Sequence, residues 1–84
     1  MVRLQEAVRL RILELEKGKG ITTNRLAEIS GITPSALKYT IADYARVKNT
    51  GIVTVKKLCQ GLGISFKEFW DSPLFDEVNF DYEE

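Results

Sequence analysis

The 84-residue sequence predicts a single all-α domain of five helices. Apolar residues recur three or four positions apart along most of the chain, the spacing that places side chains on one face of a helix. Ser, Thr, Gly and Pro interrupt this pattern where helices begin and end. No segment shows a strand pattern of any strength, and a chain of this length has no room for a second hydrophobic core.

The first predicted helix covers residues 2–17. Gly18 and Gly20 end it, because glycine is the residue that most often follows the last turn of a helix. Leu10 and Leu13 form a flanking apolar patch that can contact a neighbouring helix or a partner. The main inward-facing stripe follows helical spacing and consists of Leu4, Val8, Ile12 and Leu15.

The second predicted helix is short and begins at a threonine. Thr22 or Thr23 serves as its N-cap, and the helix runs to Ser30. Its apolar side chains, Leu26 and Ile29, are three positions apart and are therefore expected to share a face.

A turn of about three residues leads into the third predicted helix. Gly31 can adopt the positive φ that a tight turn between helices needs. Thr33 caps the third helix, and Pro34 occupies its first position, where proline fits a helix best. The helix runs to Ile41, and Leu37 and Ile41 are expected to point inward.

The fourth and fifth helices supply the rest of the predicted core. The fourth runs from about Thr54 to Leu62. The fifth begins at Ser65, which forms a capping box with Glu68 three positions later, and Pro73 follows its end. The side chains that these two helices are expected to bury are Val55, Leu58, Cys59, Leu62, Phe66, Phe69 and Trp70.

Two regions lie outside the predicted helices. The stretch from Ala42 to Thr50 is expected to form either a loop or an extra helical turn followed by a loop. The helical domain covers residues 1–72, and residues 73–84 form an acidic, aromatic tail that is either loosely packed or disordered.

The composition argues against an enzyme. The chain has no histidine, so the usual general base and the preferred metal ligand are missing. Its single cysteine, Cys59, can form neither an internal disulfide nor a structural zinc site alone. No apolar run approaches the roughly 20 residues that span a bilayer, and no secretory signal is present. We therefore expect a cytoplasmic protein without a cofactor or a metal ion.

The net charge is zero, but the charges are unevenly distributed. Residues 1–67 carry all 12 basic residues and five acidic ones, a net charge of +7, and residues 68–84 carry the other seven acidic residues, a net charge of −7. A basic body with an acidic tail fits a domain that binds a polyanion and whose tail tempers that contact. A need for solubility also explains uneven charge in a small domain.

The most informative motif lies in residues 21–38. Two helices that cross steeply need a small residue at their contact, here Ala27, and a glycine in their turn, here Gly31. This pattern resembles the helix-turn-helix of the XRE-type, Cro/repressor-like regulators. The similarity covers most of residues 7–75, through ITTNRLAEISGITPSALK (21–38) and NTGIVTVKKLCQGLGISFKEFWDSPLF (49–75). It implies a compact lambda-repressor-like domain that binds double-stranded DNA and regulates transcription, as a repressor.

The resemblance also implies which residues contact DNA. The third helix would lie in the major groove, where Lys38 would bind either guanine or a phosphate and Tyr39 would use either its ring or its hydroxyl. The start of the second helix would bind a phosphate, and the segment after the third helix would follow the DNA backbone. The implied contact residues are Thr23, Asn24, Thr33, Pro34, Ser35, Lys38, Tyr39, Arg46, Lys48, Asn49 and Thr50.

The sequence also departs from this family. Members often carry glutamine at the positions of Thr23 and Ser35, and the segment after the third helix has no glycine before Gly51. The alternative function is therefore a protein-binding module on a repressor-like fold without DNA affinity. A DNA-binding form is expected to act as a two-fold homodimer, because one such domain makes few base contacts. The fifth helix, Phe75 and Phe80 in the tail, or the Leu10 and Leu13 patch would supply the dimer contact.

Overall fold

A computed structural model describes residues 2–42, 51–76 and 78–79. In chain order, these residues form β1 (Val2–Arg3), α1 (Leu4–Lys19), α2 (Thr23–Ser30), α3 (Pro34–Ile41), α4 (Ile52–Leu62), α5 (Phe66–Trp70), a 3-10 helix (Pro73–Phe75) and β2 (Val78–Asn79). The five helices confirm the predicted architecture. None of the helices in these ranges is both long and apolar enough to cross a membrane.

Side-chain caps fix the starts of α2, α3 and α5 as predicted. In each case a hydroxyl oxygen accepts a hydrogen bond from a backbone N–H in the first turn, which satisfies a donor that the helix itself leaves unpaired. The three bonds run from the N–H of Arg25 to Thr22 (3.1 Å), from that of Ala36 to Thr33 (3.3 Å) and from that of Glu68 to Ser65 (3.0 Å).

The start of α1 differs from the prediction. Val2 and Arg3 are extended and pair in parallel with Val78 and Asn79, so the helix begins at Leu4 rather than at residue 2. Each strand has only two residues, which is too short for an alternating pattern to show in the sequence.

Two further helix boundaries differ from the predicted ones. α1 continues through Gly18 to Lys19, because one glycine inside a helix costs only about 1 kcal/mol and does not end it. The chain leaves the helix at Gly20, whose φ is 68°. α4 begins at Ile52, two residues before the predicted start at Thr54.

A glycine followed by an isoleucine ends α1, α2 and α4. After α2, the N–H of Gly31 donates to the carbonyl of Glu28 at 3.4 Å, and the N–H of Ile32 donates to that of Ala27 at 3.0 Å. These two hydrogen bonds form a Schellman motif, in which the residue after the helix has a positive φ (71° at Gly31), a conformation that favours glycine. The isoleucines of all three pairs, Ile21, Ile32 and Ile64, pack partly buried against the core.

The core confirms most of the predicted inward positions. Two predictions are wrong, because Leu4 and Ile29 are exposed. Leu4 is the first residue of α1, and Ile29 lies about 100° around α2 from the centre of the arc that Leu26, Ala27 and Ser30 bury. The buried cluster consists of Val8, Ile12, Leu26, Ala27, Leu37, Val55, Leu58, Cys59, Leu62 and Phe69.

The division of the chain at residue 72 stays a prediction. Pro73–Phe75 and Val78–Asn79 both lie against α1, and the Phe75 side chain packs partly buried against the core. The acidic residues of the tail at 77, 81, 83 and 84 lie outside the described residues.

Gly61 allows α4 to approach α2 closely. A Cβ atom at this position would lie 2.2 Å from Oγ of Ser30 and 3.1 Å from both its Cα and its backbone N. The hydroxyl could rotate away, but the backbone atoms belong to a buried part of α2 and can move only if the two helices separate.

We expect Gly61→Ala to lower the free energy of unfolding by about 1–3 kcal/mol, the usual cost of overpacking a core. Gly18→Ala is the matched control, because Gly18 also lies inside a helix but a Cβ there would meet no atom within 4 Å. That change should raise stability by about 0.5–1 kcal/mol through helix propensity. Urea unfolding of the two variants measures both effects, and a change of the same sign in both would contradict the expected clash.

Candidate nucleic-acid interface

α2, the turn at residues 31–33 and α3 form a helix-turn-helix. α2 is the inner helix, in contact with both α3 and α4, and α3 rests on α2 and α1. In α3 only Leu37 is fully buried, at 1% exposure, and Ile41 packs partly buried against the core. The rest of α3 lies at the surface because a single apolar stripe holds it in place.

The outer face of α3 offers hydrogen-bond donors. Thr40 is not one of them, because its hydroxyl donates to the carbonyl of Ala36 at 3.0 Å within the same helix. Near the start of the helix Ser35 presents a hydroxyl, and one turn later Lys38 presents an ammonium group. The exposed residues of the N-cap and the helix are Thr33, Pro34, Ser35, Ala36, Lys38 and Tyr39.

The residues predicted to contact DNA fall into three groups. Five of them lie at the N-cap or on the exposed face of α3, namely Thr33, Pro34, Ser35, Lys38 and Tyr39. Thr23 and Asn24 are the first two residues of α2, where Thr23 is half-buried and Asn24 is exposed. The other four, Arg46, Lys48, Asn49 and Thr50, lie outside the described residues.

Glu16 is a site residue that the sequence analysis missed. It lies in α1, is only 7% exposed, and its Oε1 accepts a hydrogen bond of 2.9 Å from the Thr23 hydroxyl. Its Oε2 is buried and has no hydrogen-bond partner in the part of the chain that the structure describes. Burial raises the pKa of the Glu16 carboxyl, and the Thr23 hydrogen bond opposes that shift only in part.

Arg9 connects α1 to the end of α3. Its Nη1 donates to the backbone carbonyl of Ile41, the last residue of α3, at 3.3 Å. A cation at this end of a helix also interacts favourably with the helix dipole. Glu6 orients the guanidinium through hydrogen bonds of 2.6 and 3.1 Å, and Arg9 lowers the pKa of that carboxyl.

The arginines with described side chains are engaged in ion pairs within their own helices. Arg9, Arg11 and Arg25 each form an ion pair with a glutamate three positions away on the same helix. Arg25 is exposed, but Glu28 offsets its charge, and the other exposed basic residues in the described ranges are lysines. These are Lys17, Lys19, Lys38, Lys56, Lys57 and Lys67.

The described residues do not assemble a metal site. No three acidic, cysteine or histidine side chains among them are placed to hold a metal ion together. The Cys59 thiol is fully buried in the core, and burial raises its pKa, which disfavours the reactive thiolate.

Two solved structures are similar to this chain. The crystal structure of the prophage Lp1 protein 11 shares 33% of its sequence and has a TM-score of 0.77, over 93% of this chain and 100% of that one. The crystal structure of the clp gene regulator ClgR from C. glutamicum shares 25% and has a TM-score of 0.69, over 82% of this chain and 86% of that one. No protein-family model and no curated protein matches the sequence.

The likeness therefore extends from the helix-turn-helix to nearly the whole chain. ClgR is named as a gene regulator, and both similar structures have the same arrangement of helices. With 33% identity over the full length of a solved relative, this chain belongs to the same protein family as the prophage Lp1 protein 11 and has the fold of a helix-turn-helix regulator.

Proposed function

We propose that this protein binds double-stranded DNA through α3 and regulates transcription as a repressor. The observation that carries the proposal is the exposure of Ser35, Lys38 and Tyr39 on a helix whose single fully buried residue is Leu37. A helix held at the surface in this way fits the major groove, which is about 12 Å wide. The likeness to a gene regulator supports the regulatory role.

In this proposal the N-terminal end of α3 enters the groove first. Thr33 and Pro34 form the leading end, and Ser35 and Lys38 lie three positions apart on one face of the helix. The ammonium group of Lys38 can donate to O6 and N7 of guanine, and the Tyr39 hydroxyl can bond to a base edge or a phosphate.

Phosphate contacts would orient the domain on the duplex. The backbone N–H groups of Thr23 and Asn24 lie in the first turn of α2, where helices bind anions. We assign Arg46, Lys48, Asn49 and Thr50 to the DNA backbone beyond α3, since basic and small polar side chains make most phosphate contacts.

We further propose that two copies bind together and act without catalysis. A two-fold dimer would place two α3 helices in successive major grooves, about 34 Å apart. Binding is also the simpler chemistry for a chain with no histidine and with its one cysteine buried.

A salt titration tests the proposal. Binding of the full chain to a labelled random-sequence duplex should weaken steeply between about 50 and 200 mM salt, because each neutralised phosphate releases counterions. Selection of bound duplexes from a random pool then gives the preferred site. No measurable binding at the lowest salt concentration would overturn the proposed function.

Lys38→Ala should weaken binding to the selected site by about 1–3 kcal/mol and change random-sequence binding less. The reason is that Lys38 is assigned to a base, and base contacts are lost on non-specific DNA. Lys67→Ala is the matched control, because it removes the same charge from an exposed lysine on α5. Competition binding with both duplexes measures the difference, and equal losses for the two variants would refute the role of Lys38.

A protein-binding module is the second candidate function. Ile52 and Val53, at the start of α4, are 71% and 69% exposed, and a neighbouring pair of exposed aliphatic side chains favours a protein contact. The same salt titration separates the two functions, since a protein-binding module has no affinity for random DNA.

A further inference from the structure

The Thr23 hydroxyl can donate one hydrogen bond, and it donates this bond to the Glu16 carboxylate. Thr23 Oγ1 donates to Glu16 Oε1 at 2.9 Å, and the carboxyl group lies beneath the start of α2, where a DNA phosphate is proposed to bind. A phosphate oxygen can only accept hydrogen bonds, as an ionised carboxylate can. The phosphate and Glu16 would therefore compete for the same proton.

The second carboxylate oxygen makes this arrangement unusual. Glu16 is 7% exposed, yet its Oε2 has no hydrogen-bond partner within residues 2–42, 51–76 and 78–79. A buried charge with an unpaired oxygen is costly, whereas a protonated carboxyl avoids that cost and can donate its proton to a neighbour. The neighbour in place is Thr23 Oγ1.

We infer that Glu16 is a positioning residue that couples DNA binding to proton uptake. In the bound state a protonated Glu16 donates to Thr23 Oγ1, and the Thr23 hydroxyl turns to donate to the DNA phosphate. The proton comes from solvent and stays on the Glu16 carboxyl, so one proton is taken up for each domain that binds. The inference rests on the proposed function, because it concerns the same contact at α2.

Among the described side chains, none provides a counter-ion for Glu16. Arg11 pairs with Glu14 on α1, and Arg25 pairs with Glu28 on α2. The 3-10 helix against α1 has no charged residue, and no ion pair among the described residues reaches Glu16. The remaining charged or titratable side chains nearby on α1, α2 and α3 are Lys17, Lys19, Lys38 and Tyr39, all exposed.

The pKa of Glu16 determines the direction in which DNA affinity changes with pH. Burial raises the pKa of Glu16 above the ordinary value of 4.5, and a bound phosphate would raise it further. The affinity for DNA is therefore highest below the pKa that Glu16 has in the free protein. It falls as pH rises through that pKa, by up to about tenfold per pH unit for one linked proton. Histidine is absent, so it contributes nothing in this range.

The experiment measures the Kd of the full chain for a random-sequence duplex from pH 4.5 to about pH 8 at constant low salt. The amide of Glu16→Gln can donate to Thr23 and does not titrate. At every pH this variant should therefore have the affinity that the wild type has at low pH. Thr23→Val should bind weakly at every pH, and Thr23→Ser should keep the wild-type dependence. Glu14→Gln is the matched control on the same helix and should also keep it.

Calorimetry in buffers of different ionisation enthalpy gives a second measurement of the uptake. The wild type should take up close to one proton in the pH range where its affinity changes, and Glu16→Gln should take up none. Wild-type binding that is independent of pH, or a Glu16→Gln variant that keeps the wild-type dependence, would overturn the inference alone. Absence of wild-type binding at every pH would instead overturn the proposed function.

Discussion

Leu37→Ala should lower the free energy of unfolding by about 2–5 kcal/mol, the range for removing a fully buried leucine side chain. Leu37 is 1% exposed and is the single fully buried residue of α3. Most other side chains of this helix face solvent, and the partly buried Ile41 and the Arg9 hydrogen bond to its carbonyl hold only the C-terminal end. The proposed DNA binding should be lost together with the position of α3.

Native-state hydrogen exchange distinguishes local detachment from general destabilisation. In Leu37→Ala the amides of α3 should lose more protection than those of α4, because α4 keeps four buried residues in the core. Leu37→Met is the control, since it preserves the side-chain volume and should cost less than about 1.5 kcal/mol. Equal loss of protection in α3 and α4 would show that Leu37 is not a local anchor.

The parts of the fold that local chemistry determines could be predicted from the sequence. A cap needs only a hydroxyl and an N–H in the next turn, so Thr33 and Ser65 set the starts of α3 and α5 correctly. The inward positions of α4, from Val55 to Leu62, follow from helical spacing alone. The exposed face of α3 follows in the same way once Leu37 is placed inside.

Glu16 shows where the sequence analysis failed although the signal was present. Val8, Ile12 and Glu16 are four positions apart, so Glu16 continues the buried stripe of α1. A glutamate, however, is normally expected at an exposed position. A glutamate is rarely buried without a counter-ion, and among the described residues the Thr23 hydroxyl is the one hydrogen-bond partner of the Glu16 carboxyl group.

Contacts between distant parts of the chain had no signal in the sequence. Arg11 donates from Nε to the carbonyl of Phe69 and from Nη2 to that of Glu68, both at 2.7 Å. These bonds satisfy carbonyls near the end of α5, which has only five residues. The acceptors are backbone atoms, which every residue has, so no residue type marks them. The pairing of Val2 with Val78 is hidden for the same reason.

Phe69→Ala should be the most destabilising single change, at about 3–5 kcal/mol. Phe69 is completely buried, and its ring lies 4.9 Å from that of Trp70 and 6.3 Å from that of Phe75, measured between centroids. Alanine leaves a cavity between α5 and the rest of the core. The Arg11 hydrogen bond to the carbonyl of residue 69 remains possible, so the loss measures packing rather than the capping of α5.

Two variants isolate the packing effect. Phe69→Leu fills most of the volume and should cost less than about 1.5 kcal/mol. Phe66→Ala removes a ring from the same helix, but this ring is only partly buried, so its loss should cost clearly less than that of Phe69. Trp70 is the only tryptophan and touches both rings, so its fluorescence follows urea unfolding of all three proteins. In a domain this small, Phe69→Ala should lower the Tm by at least about 12 °C. If Phe66→Ala cost as much, the ring of Phe69 would not be what joins α5 to the core.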